Sequence, residues 1–140
     1  MSSRPIIDIV RTIALLMVLL STSSCTKDSG PVIIRPMVDT LSFKDTILPI
    51  LISKCYNCHP GYADLDLGTT NAYSDLVNTP SVNYPPYMRV SPFDPLNSVL
   101  YQKVNSNAQF GSAMPMYADP LTESEKWLIY DWIAQGAKDN

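Results

Sequence analysis

Cys55-Tyr56-Asn57-Cys58-His59 sets two thiols three positions apart and an imidazole directly after the second. On one helical turn, such thiols can each add to a vinyl group of the same porphyrin, while the neighbouring imidazole ligates the iron. His59 is the only histidine in the chain. A zinc site would need a second ligand pair, and the one other cysteine, Cys25, lies far upstream. A thioredoxin-like dithiol wants a βαβ surround, whose pattern this chain lacks. The motif therefore points to one covalent haem c, with Cys55 and Cys58 as thioether links and His59 as the proximal iron ligand.

Iron held by His59 requires a sixth ligand or an open face. With no second histidine, bis-histidine ligation is excluded within a monomer. Beyond the N-terminal segment the methionines are Met37, Met88, Met114 and Met116. Met114-Pro115 follows Phe110-Gly111-Ser112-Ala113, and a proline-stiffened loop there can hold a thioether against the distal face. Met114 is the expected distal ligand and Met116 the runner-up. The competing reading makes Met114 a core gap-filler. A thioether ligand raises the potential, and a closed sixth position discourages reaction with peroxide or oxygen.

These donors need helices to position them. Ser42 and Asp45 resemble a capping box opening a helix through Phe43, Ile47, Ile50 and Leu51 into Cys55, with a kink expected at Pro49. Residues 71–77 (NAYSDLV) and 97–104 (NSVLYQKV) are short helix candidates. The last helix is the clearest: Thr122 and Glu125 form a T-x-x-E box and Gly136 marks the end. Leu128, Ile129, Trp132 and Ile133 recur at helical spacing, a face to pack across the first helix. Residues 78–95 hold five prolines with Tyr84, Tyr87 and Arg89. That segment reads as a rigid surface loop; alternatively, Tyr87 or Arg89 bonds a haem propionate.

The N-terminus reads as an address. Arg4 and Arg11 precede a short apolar run, Ile13–Leu20, and Ser21-Thr22-Ser23-Ser24 supplies small residues before Cys25. That run is too short for a bilayer that needs about 20 apolar residues. Small residues directly before a cysteine resemble a bacterial lipoprotein signal, with Cys25 acylated as the first residue of the mature chain. The expected organisation is a signal peptide over 1–24, a flexible tether over 25–41 and one domain over 42–140. Without Arg4, Arg11 and Asp8, 8 basic side chains face 12 acidic ones. No basic stripe is present, so a nucleic-acid partner is not expected.

The residues from Ser42 onward resemble a class I c-type cytochrome domain of the kind carried by exported bacterial proteins. The resemblance rests on Ile47-Leu48-Pro49-Ile50-Leu51 leading into the C-x-x-C-H motif, on residues 92–101 (PFDPLNSVLY), on Met114-Pro115, and on the closing helix with its W-I-A-Q-G-A ending. It implies an all-α fold of three to five helices wrapped around one covalently attached haem. It also implies Cys55 and Cys58 as thioether links, His59 as proximal ligand and Met114 as distal ligand. The stretch after the motif, Pro60 to Leu67, departs from the family pattern. It leaves open which carbonyl receives the second nitrogen of His59.

The expectation is an electron carrier, tethered to a membrane by lipid on Cys25. It would face the periplasm or the cell surface and serve redox partner proteins as a monomer or within an electron-transfer complex. No catalytic base or nucleophile pair is visible, so no enzyme is expected. Two other readings stay open: a peroxidase-like haem enzyme with a labile distal methionine, and a haem-based sensor or accessory module.

Overall fold

Ser42 opens the first helical segment by accepting the Asp45 N–H on its side-chain oxygen at 3.0 Å. The computed structural model describes residues 40–140; Cys25, the expected signal segment and most of the expected tether lie outside them. The first turn, Phe43–Ile47, is π-helical, with the amides of Thr46 and Ile47 both reaching Ser42 O. It passes directly into α1, Leu48–Lys54. Pro49 therefore falls in the first turn of α1, where its missing N–H costs least. The expected kink is a change from π to α winding.

Three further helices follow: α2 (Ala72–Leu76), α3 (Val99–Val104) and α4 (Glu123–Ala134). Short 3₁₀ turns at Tyr62–Asp64, Pro95–Asn97 and Ala108–Phe110 break the connections. Among the described residues there is no β-strand, only isolated bridges such as Val77 with Val90 and Met88 with Ser98. The architecture is all-helical.

The core forms where α4 packs on the π-turn, in one cluster with buried residues of α1. Ile129, Trp132 and Ile133 are fully buried in one cluster with Ile47 and Leu51, and the rings of Phe43 and Trp132 lie 5.3 Å apart. Thr122 and Glu125 make a reciprocal capping box at the start of α4, satisfying two amides that a helix end leaves free. Gly136 ends the helix at φ 100°, and a Cβ there would meet the Phe93 ring at 2.6 Å. The C-terminal residues then fold back on the domain's first turn: Asn140 O accepts from Lys44 N–H, and Asn140 Oδ1 from Phe43 N–H.

Leu41, the last residue of the expected tether, is instead part of this core at 5% exposure. Its amide donates to Gln135 Oε1 at 2.8 Å, so the chain is already anchored one residue before Ser42.

The 78–95 segment is fastened from several sides. Val99 N–H and Leu100 N–H, free donors at the start of α3, bond Met88 O and Arg89 O. Ser98, fully buried, accepts from Ser91 N–H and donates to Asp94 O. The loop therefore caps α3 and forms part of the wall described next.

Candidate haem site

Cys55 ends α1, its amide bonding Leu51 O, and the chain continues in a tight turn. Cys58 N–H and His59 N–H both donate to Cys55 O, which winds the motif into one compact unit. Cys55 is half-buried and Cys58 exposed. Burial, reinforced by the neighbouring Cys58 and Glu125 charges, pushes the Cys55 thiol up to about 11. At neutral pH it is a neutral thiol. A redox-active dithiol requires the opposite shift, toward a stabilised thiolate.

His59 turns its Nδ1 to Tyr62 O at 3.1 Å. A carbonyl can only accept, so Nδ1 carries the proton and the lone pair of Nε2 is left for a metal. The carbonyl that the sequence left unnamed is thus three residues after the histidine, inside the motif's own loop. That loop is tight. Gly61 N–H bonds Leu65 O, Leu67 N–H bonds His59 O, and Ala63 and Asp64 both adopt left-handed φ, near 60°. Such conformations are uncommon for residues with a Cβ.

Arg89 holds that turn. Its guanidinium is buried at 8% exposure and donates to Asp64 O at 2.7 Å, Ala63 O at 3.2 Å and Asp75 O at 2.8 Å. One side chain thus ties the loop below His59 to α2 and to the 78–95 segment.

One cavity of about 510 Å³ brings the separate donors together, a size within the roughly 300–1,000 Å³ of cofactor sites. Cys55, Cys58 and His59 line it with Met114, Met116 and Tyr117 from the late loop. Leu65, Leu67, Leu76, Val99, Leu100 and Val104 supply apolar wall; Arg89, Ser81, Asn83, Tyr84 and Lys103 bring polar groups to it. Tyr87 is not among the lining residues: its ring packs on Phe110 at 5.1 Å and its hydroxyl accepts from Gln109. Met88 lies elsewhere too, in the bridges that join the 78–95 loop to α3.

Of the two methionines on the cavity, Met114 is the better anchored. Its amide donates to Lys103 O at 3.0 Å, whereas Met116 is 36% exposed and the next residue, Tyr117, is fully so. Among the described residues, no three or more His, Cys, Asp or Glu side chains gather as a zinc cage would require.

The donors therefore match what a covalent haem needs. Two thiols one turn apart, an imidazole with its far nitrogen hydrogen-bonded, and a thioether from a distant loop share one largely apolar cavity. The sequence singled out Cys55, Cys58, His59 and Met114, and all of them line this cavity. It singled out neither Lys103 nor the Tyr62 carbonyl, because a lone lysine on a short helix and a backbone oxygen carry no motif. Comparison with protein-family models, curated proteins and solved structures finds no match for the chain.

Proposed function

We propose that this domain is a monohaem c-type cytochrome that passes single electrons between redox partner proteins. The observation that carries the reading is the convergence on one cavity of Cys55, Cys58, the Nδ1-tethered His59 and Met114. Haem, when bound, supplies one-electron chemistry. The chain's own residues do the rest. His59, with its proton held on Nδ1 by Tyr62 O, presents a basic Nε2. Met114 offers a soft thioether that favours the ferrous state. The apolar walls lower the local dielectric and keep water away, which moves a potential in the same direction.

The reading includes the finer class-I cytochrome resemblance, export, and a lipid on Cys25 that would hold the domain at a membrane surface. It is tested with protein made alongside a cytochrome c maturation system. The haem should stay with the polypeptide through denaturing electrophoresis, and the ferric protein should show the near-infrared sulfur-to-iron band of His/Met ligation. Met114→Ala should abolish that band, lower the potential and raise reactivity with peroxide. Met116→Ala should leave the band in place. A mass equal to the bare polypeptide, or zinc in place of iron, would sink the proposal. A band lost in Met116→Ala alone would move the ligand two residues along the loop. If neither substitution matters, the peroxidase-like and sensor readings move ahead.

A further inference from the structure

We propose that Lys103 is a positioning residue that clamps the distal loop and so sets how firmly Met114 closes the cavity. The inference rests on the reading of Met114 as a ligand and goes beyond it. An ammonium has three N–H donors and no acceptor. Here the Lys103 ammonium has three acceptors within reach: Phe110 O at 2.8 Å, Ser112 O at 2.9 Å and Tyr84 Oη at 3.1 Å. Its own backbone carbonyl takes the Met114 N–H at 3.0 Å.

One residue thus grips the loop at Phe110, Ser112 and Met114, and cross-links it to the 78–95 segment through Tyr84. Hydrogen bonds from a charged donor are stronger than neutral ones. Gly111 fits the same arrangement. It sits at φ +73°, and a Cβ there would come within 2.9 Å of Tyr84 Oη and 3.9 Å of Lys103 Nζ. Only a residue without a side chain lets the loop pass this close to the clamp.

With Met114 as ligand to a bound haem, an external ligand would reach the iron only after the thioether moves away, so its apparent affinity would scale with the open fraction of the loop. Releasing the clamp enlarges that fraction while leaving Cys55, Cys58 and His59 in place. The prediction is read on haem-loaded ferric protein titrated with imidazole. Lys103→Met should bind imidazole roughly tenfold more tightly than the parent. It should show a weaker near-infrared sulfur band and unchanged covalent haem. Tyr84→Phe, which removes one acceptor of three, should show a smaller rise, and Met114→Ala sets the upper limit. Hydrogen exchange gives a readout that does not depend on ligation, since the Met114 amide should lose protection in Lys103→Met. If Lys103→Met fails to accumulate, Tyr84→Phe and Gly111→Ala carry the test, and parent-like imidazole affinity in both overturns the clamp. A parent protein with the sulfur band, together with a Lys103→Met variant that keeps band, affinity and Met114 protection, defeats the clamp alone. A parent without the band and with the imidazole affinity of Met114→Ala defeats the ligand reading and the clamp with it.

Discussion

Arg89 shows how much one side chain can organise. Its guanidinium collects the carbonyls of Ala63, Asp64 and Asp75, and the first two belong to residues in left-handed conformations that the chain would not choose alone. Those residues follow Tyr62, whose carbonyl fixes the His59 proton. Removing the guanidinium strands part-buried acceptors, and a bond to a charged donor is worth about 1.5–3 kcal/mol. Arg89→Gln should therefore lower the unfolding free energy by about that amount in urea denaturation. It should also raise the potential of the proposed haem, because an imidazole that loses its carbonyl would be a poorer electron donor to the iron. Arg89→Lys should recover little, since a single ammonium cannot span the same three carbonyls in the plane of a fork. Parent-like stability and potential in Arg89→Gln would show the brace to be idle.

At the scale of elements, α4 is the member that stands on local chemistry and the others are held by neighbours. α1, α2 and α3 have 7, 5 and 6 residues, too short to persist in water without packing. α4 has 12 residues and a complete capping box. Thr122→Ala should cost about 1 kcal/mol, within the roughly 0.5–2 kcal/mol of such caps, by calorimetry or denaturant unfolding. The Glu125 half of the box adds a pH dependence. Its carboxyl is held below its ordinary value, chiefly by the Thr122 backbone N–H. A carboxylate depressed on folding contributes stability above its unfolded pKa and loses it as pH falls through the folded one. Glu125→Gln should thus be less stable than the parent at neutral pH, and the two should converge as the solution is taken below the ordinary carboxylate range. A gap that persists in strong acid would assign the effect to packing.

For the whole molecule, the cavity lies among elements from across the described chain: the end of α1, the loop before α2, the 78–95 segment, α3 and the late methionine loop. Such a site cannot form before the fold does, and the proposed haem would become part of the core. Attachment to a membrane is a separate matter. No helix among the described residues is long and apolar enough to cross one. The proposed anchor is lipid on Cys25, motivated by the basic start, the short apolar run and the small residues before it. Cys25→Ala should leave the precursor unprocessed or shift the haem-containing domain from the membrane to the soluble fraction. A variant that is trimmed normally and stays with the membrane would show that something other than lipid holds it.

The sequence by itself determined the features whose chemistry is local. C-x-x-C-H points to the proposed haem attachment because its three donors act within one turn. The T-x-x-E box and the Ile129, Trp132 and Ile133 spacing read as α4 because capping and helical period are short-range. Pro49 was legible as a perturbation, though not as a π-to-α junction. Tertiary structure alone decided which donors meet. Met114 and Met116 reach the cavity and Met88 does not, because α3 and its loop cap set the path of the chain between them. Leu41 entered the core because Gln135, 94 residues away, accepts its amide. Ala63 and Asp64 turn left-handed without a glycine to announce it, because a distant guanidinium holds their carbonyls. Hydrogen bonds between backbone oxygens and residues far apart leave no periodic trace in the sequence. They become visible only once packing has brought the partners within 3 Å or so of each other.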